Sequence, residues 1–125
     1  MEADMFEENE VREATLEYFS GDELATNVFM TKYCLRDKRG NFVEKTPDDM
    51  HRRLAKEFAR VEDKFTTGKS NHLTEDDIYS FLQNFKYIVP QGSPMMGIGN
   101  NHVNVSLSNC VVVDNPTDSV SSIMD

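Results

Sequence analysis

Residues 46–49 read Thr-Pro-Asp-Asp, and the apolar side chains that follow, Met50, Leu54, Phe58 and Val61, recur every three or four positions. This pattern spells out a helix from its first residue. Thr46 can cap it, Pro47 falls where a missing N–H costs nothing, and Asp48 and Asp49 face the positive end. A stripe at that spacing covers one helix face and must be buried against another element. Thr74-Glu75-Asp76-Asp77 opens a second such helix, with Ile78, Phe81, Leu82 and Phe85 apolar. Upstream, residues 7–18 predict a polar helix, with Val11, Leu16 and Phe19 apolar. Ser20-Gly21-Asp22-Glu23 fits a capping box, Ser20 accepting from the third amide and Glu23 reaching back. The helix it starts would turn Leu24, Val28 and Met30 or Thr31 to one side. Residues 35–45 hold Arg39-Gly40-Asn41 between apolar residues and predict a turn or small hairpin. The expected fold class is therefore mainly α.

With 125 residues the chain suits one modest core, and its formal charge of −9 argues against a nucleic-acid-binding module, which needs clustered Lys and Arg. The charge is unevenly placed. From Tyr87 onward there is no Lys or Arg, and Asp114, Asp118 and Asp125 are the only charged residues. This shift near Lys86 divides a solvated helical region, residues 1–86, from residues 87–125, which are expected to be covered by other protein. Two cysteines make no disulfide framework, so a reducing cytoplasm is the expected compartment. No apolar run approaches a membrane span, and the acidic residues 1–10 lack the layout of a signal peptide. Residues 66–71 form a polar linker.

Beyond Tyr87 the period changes. Pro90, Pro94, Gly92, Gly97 and Gly99 predict a loop, and Val103, Val105 and Leu107 alternate as in a strand. The glycines allow close backbone approach, and Ser93 offers a hydroxyl. Cys110 follows among β-branched residues, where a buried structural thiol and a reactive one are both open. Ser106, Ser108 and Asn109 are polar where a wholly buried strand would be apolar. Gly97-Ile98-Gly99 is only a scrap of a dinucleotide fingerprint. Cys34, beside Tyr33 and Leu35, reads as a core thiol. His51, His72 and His102 lack metal-ligand spacing and suit surface or cap roles. Residues 114–125 place acids like a calcium loop, but Pro116 and Ser119 stand at its third and sixth positions, which excludes it. Arg52, Arg53, Lys56 and Arg60 interleave with Asp49, Glu57 and Glu62 as on a solvated helix face, and the Met50–Val61 stripe reads as core.

Three stretches, LEYFSGDELATNVFMTKYCLRD (residues 16–37), TPDDMHRRLAKEFARVE (46–62) and VPQGSPMMGIGN…VSLSNCVVVD (89–114), resemble the N-terminal part of the catalytic large subunit of ribonucleotide reductase. A Ser/Thr-Pro loop followed by a short strand with Ser-x-Cys is the most specific of these. The resemblance implies a helical N-terminal region followed by the first strand, residues 103–113, of a ten-stranded α/β barrel. It also implies thiyl-radical chemistry at the ribose 3′ carbon, after which a cysteine pair reduces the 2′ position and becomes a disulfide. Cys110 matches the first member of that pair. Ser93 matches the phosphate-binding hydroxyl, with Ser108 and Asn109 close to phosphate and ribose. Asp118, Ser119 and Val120 resemble the start of the site that reads a deoxynucleoside triphosphate effector.

Nothing here matches the ATP-binding cone of many such subunits, nor the partner cysteine, the thiyl cysteine and most of the barrel. The chain is therefore expected to be a fragment or one piece of a split subunit, inactive alone and prone to associate through its unpaired strand. The implied partners are the remainder of the large subunit, a possible radical-generating small subunit, ribonucleotide substrate and deoxynucleotide effectors. No cofactor is expected on this segment. The whole enzyme would need a radical source, either a metal-containing small subunit or adenosylcobalamin, and a thioredoxin-type reductant. Two other readings compete: a small acidic helical interaction protein with a structural cysteine, and a nucleotide-binding module without catalysis.

Overall fold

The computed structural model describes residues 5–66, 72–102 and 104–108. Among them it is built from helices: α1 (Glu8–Tyr18), α2 (Glu23–Val28), α3 (Pro47–Thr66), α4 (Glu75–Leu82) and α5 (Gly92–Gly97). A π-helical turn, Phe29–Tyr33, prolongs α2, and a 3-10 turn, Gln83–Phe85, follows α4. The described residues contain no strand longer than a single bridge. Phe42 bridges to both Phe6 and Arg36 across a hairpin-like turn, as expected for residues 35–45. Gly40, at φ +87°, and Asp37, whose Oδ1 accepts from the amides of Arg39 and Asn41, shape that turn. Of the strand expected over residues 103–113, residues 104–108 form no ladder, and Val103 and residues 109–113 lie outside the described residues, as does most of the 66–71 linker.

Helix starts follow local chemistry, with one correction. At α4, Thr74 and Asp77 cap reciprocally: Thr74 Oγ1 accepts from the Asp77 amide at 3.2 Å, and Asp77 Oδ2 from the Thr74 amide at 3.0 Å. At α2 the cap is Asp22, whose Oδ1 accepts from the Ala25 amide at 3.0 Å, and not Ser20. Ser20 instead ends α1. It takes φ +55°, its amide bonds to Glu17 O and that of Gly21 to Leu16 O, the paired bonds of a left-handed helix stop. The buried face also differs from that expected, with Met30 common to both. Leu24 is 75 % exposed, while Thr26, Phe29 and Met30 are buried.

The core gathers Val11 of α1, Phe29 and Met30, Phe42, Met50, Leu54 and Ala55 of α3, Ile78 and Leu82 of α4, and Met95 of α5. The Met50–Val61 stripe is core in its first half only; Phe58 and Val61 are exposed at the far end of α3. Residues 92–97 are helical rather than the expected loop. Pro94 sits in the first turn, where no intrahelical N–H bond is required of it, and Met95 fills the core. Among the described residues no helix is long and apolar enough to cross a membrane.

Candidate functional site

The segment expected to carry the site begins at α5, and α5 is held to the helical layer by a buried ion pair. Arg53 Nε donates to Glu44 Oε2 at 2.7 Å, and the two side chains are only 10 % and 6 % exposed. Glu44 Oε1 also accepts the Leu35 amide at 3.0 Å. The guanidinium directs its remaining donors to the backbone of the loop: Nη2 to Met95 O at 2.7 Å and Nη1 to Ile98 O. Planar donors spread over a carboxylate and two carbonyls fix the end of α5 at two points. Gly99 completes the fit. It takes φ +75°, and a Cβ there would stand 2.9 Å from Arg53 Cγ. At the other end of α5, Gly92 lies against the Tyr33 ring, where a Cβ would come within 3.1 Å.

Arg53 thus departs from the solvated face expected of it, whereas Arg52, Lys56 and Arg60 are exposed. Its position, three residues after Met50 and one before Leu54, puts it on the flank of the buried stripe. That is the available signal, but a partner 45 residues downstream has no local signature.

After Gly99 the chain turns through Asn100, whose Oδ1 accepts the His102 amide at 2.8 Å, and runs back over α5. A Cβ on Gly97 would meet Val105 Cγ2 at 2.2 Å and Leu107 Cδ2 at 3.0 Å. The glycine therefore allows residues 105–107 to lie directly on the helix that carries Ser93. Ser93 is half-buried in the first turn of α5. Ser108 is exposed, its amide bonded to Ser106 Oγ at 3.3 Å. The structure thus sets residues 105–107, just ahead of Ser108, against the Gly97 end of the helix whose first turn holds Ser93. Asn109, Cys110, Asp118, Ser119 and Val120 lie outside the described residues.

On the α3 side of this loop, a cavity of about 580 Å³ is lined by Arg52, Arg53, Lys56, Arg60, Gly99 and Asn101, with Glu44, Asp49 and Glu57 among them. Its arginines are engaged: Arg52 by Asp48 at 3.1 Å, Arg60 by Glu57, and Arg53 by Glu44. Cys34 lies in the core, as expected. Its Sγ donates to Glu44 O at 3.2 Å, and burial, reinforced by the Glu44 carboxylate, pushes the thiol up to about 12.

His51 does not have the surface or cap role expected of it. It is fully buried beside Met50 and Leu54, with its ring edge-to-face against Phe85 at 4.6 Å, and burial holds its pKa below the ordinary imidazole value. His72 is exposed and His102 half-buried. Among the described residues no group of three or more His, Cys, Asp or Glu is placed to hold a metal ion.

A family model described as ribonucleotide reductase, all-alpha domain, matches residues 19–102. No curated protein and no solved structure matches the chain. The matched span includes α2 to α5, the Arg53–Glu44 clamp and the Ser93 turn, and it takes in well over half of the sequence. The chain therefore belongs to the ribonucleotide reductase large-subunit family through its all-alpha domain.

Proposed function

We propose that the chain supplies a ribonucleotide reductase catalytic subunit with its substrate-phosphate loop and one cysteine of its reducing pair. The reaction would convert ribonucleoside diphosphates or triphosphates to deoxyribonucleotides for DNA synthesis, in the cytoplasm. The observation that supports this reading is the contact at Gly97, which sets residues 105–107 on the helix that includes Ser93; Ser108, Asn109 and Cys110 follow directly in sequence. Reduction at the 2′ carbon needs a thiol beside the sugar, while the phosphate is gripped a few ångströms away. A rigid helix and an adjoining extended segment can hold both groups in register.

In this role Cys110 and its partner thiol give two hydrogens: one ends on the 2′ carbon, and the other joins the departing 2′ hydroxyl, which leaves as water. The pair closes to a disulfide, and a thioredoxin-type protein reopens it. Ser93 donates to substrate phosphate, and Ser108 and Asn109 contact phosphate and ribose. Asp118, Ser119 and Val120 begin the effector site. The radical source, either a metal-containing small subunit or adenosylcobalamin, supplies the oxidising equivalent that makes the thiyl radical elsewhere in the subunit. The second cysteine, the thiyl cysteine and the barrel come from the remainder of the large subunit, so the isolated chain is inactive.

The test compares turnover of the chain alone with turnover of a large subunit that contains it. The chain alone should show none. In the assembled subunit, Cys110→Ser should abolish multiple turnover while leaving substrate affinity within about twofold. Ser93→Ala should raise KM about tenfold, the loss of one charge-assisted hydrogen bond to phosphate. Sustained turnover by the Cys110→Ser subunit would overturn the assignment.

A further inference from the structure

We propose that His51 and Phe85 form an acid-released latch, which holds a strained turn after α4 and through it the residues 86–90 that lead into α5. Asn84 takes φ +55°, ψ +23°, and Phe85 follows at φ +55°. Asparagine tolerates this left-handed region, but an aromatic residue there is strained. The conformation persists because the Phe85 ring is seated between two partners. It stacks on Phe19, just after α1, at 6.2 Å with the planes 20° apart, and meets His51 of α3 edge-to-face at 4.6 Å.

The imidazole holding this ring is itself unusual. His51 is fully buried, and neither Nδ1 nor Nε2 has a hydrogen-bond partner among the described residues. A neutral ring can sit in such a place, but an imidazolium has two N–H groups and a charge with no acceptor to meet them.

The surrounding groups leave the neutral ring favoured. On α3 the Asp48 carboxylate one turn earlier favours the cation, but it already accepts from Arg52 Nε at 3.1 Å and from the Tyr79 hydroxyl of α4. On α1, the buried Tyr18 hydroxyl, which also senses Asp48, is raised in pKa by burial and by that carboxylate, and is neutral throughout the range in question. Lys86, after the turn, is exposed with its Nζ 5.0 Å above the Tyr87 ring. Burial outweighs Asp48, and the His51 pKa is lowered. For a lowered pKa the stabilisation by the neutral ring is intact above the ordinary imidazole value. It is lost as pH falls through the folded-state value.

When the ring takes a proton it must leave for water. Phe85 then loses one of its two seats, the backbone at residues 84–85 is free to return to negative φ, and the amides of Tyr87 and Ile88 lose their bonds to Phe81 O, now 3.2 and 3.0 Å. Residues 86–90 would be released while the Arg53–Glu44 clamp still holds the far end of α5.

The experiment is hydrogen exchange on the full chain from about pH 7.5 to about pH 5.5, the range around an ordinary imidazole, with intrinsic rates corrected. Protection of the Tyr87 and Ile88 amides should fall about tenfold per pH unit as pH drops from the ordinary imidazole value toward the lowered His51 value, as one coupled proton requires, while Leu54 in α3 stays protected. In His51→Phe the same amides should show no pH dependence. Proton NMR on the unmutated chain gives an independent reading. The His51 ring signals should titrate below the ordinary imidazole value, at the pH where the loss of amide protection levels off. The proposal is overturned if the two amides are insensitive to pH, if His51→Phe keeps the dependence, or if the His51 midpoint lies at or above the ordinary imidazole value.

Discussion

Glu44 is the acceptor around which several side chains and backbone groups converge. Its carboxylate takes Arg53 and the Leu35 amide, and its carbonyl takes Cys34 Sγ. A buried pair of this kind adds little net stability, because desolvation cancels much of the attraction, yet removing one partner leaves a charge with nothing to face. Arg53→Met should therefore cost about 3–5 kcal/mol, and the double change with Glu44→Met should recover most of it. Urea denaturation of the two variants measures this; equal losses in single and double variants would mean that the guanidinium acts through the Met95 and Ile98 carbonyls instead. Cys34 gives a second residue-level expectation. With its thiol pushed up to about 12, only a minute fraction is ionised at neutral pH. In a Cys110→Ser background, its modification by a disulfide reagent at about pH 8 should be about a thousandfold slower than that of an exposed thiol, and should recover on unfolding.

At the scale of elements, α5 matters most because it is six residues long and depends on its surroundings. A helix of that length has no stability of its own in water. Gly97 lets residues 105–107 cover it, and any Cβ there meets Val105 at 2.2 Å. Gly97→Ala should lift that segment from the helix and weaken nucleotide diphosphate binding about tenfold or more in the assembled subunit, read by calorimetry, with the helical far-ultraviolet signal unchanged. Unchanged affinity would separate residues 105–107 from the site.

The elements differ in how plainly the sequence announces them. α3 and α4 are legible because their caps, acids and apolar stripes lie within a few residues of one another. The cap of α2 lies two residues beyond the expected one, since Ser20-Gly21 serves the end of α1 before Asp22 can start the next helix. α5 is hidden by its glycines and proline, which read as loop until Met95 is seen to have a core to fill. The roles of Arg53 and His51 are illegible because both are set by distant partners, the 95–98 carbonyls and Phe85, and helical periodicity counts only apolar residues. Ser93 and Ser108 stand out through the family resemblance, and the packing of residues 105–107 on α5 becomes visible only through Gly97.

Across the whole molecule, the core runs without a break from Val11 to Met95. Helical layer and loop should accordingly melt together. Denaturation followed by far-ultraviolet circular dichroism and by exchange at the Met95 amide, which bonds to Gln91 O, should give coincident midpoints within about 0.2 M urea, the behaviour of a small two-state domain. An earlier loss at Met95 would mean that α5 is a separate unit.

The Arg53 bonds to Met95 and Ile98 bear on anyone who trims this chain for crystallisation or fusion. A cut at Lys86, where the residue usage changes, would leave the guanidinium with two donors aimed at an empty slot, and a methionine-sized hole in the core. Such a product would be the wrong starting material for ligand studies, and a boundary beyond Gly99 would keep the loop and its anchor in one piece.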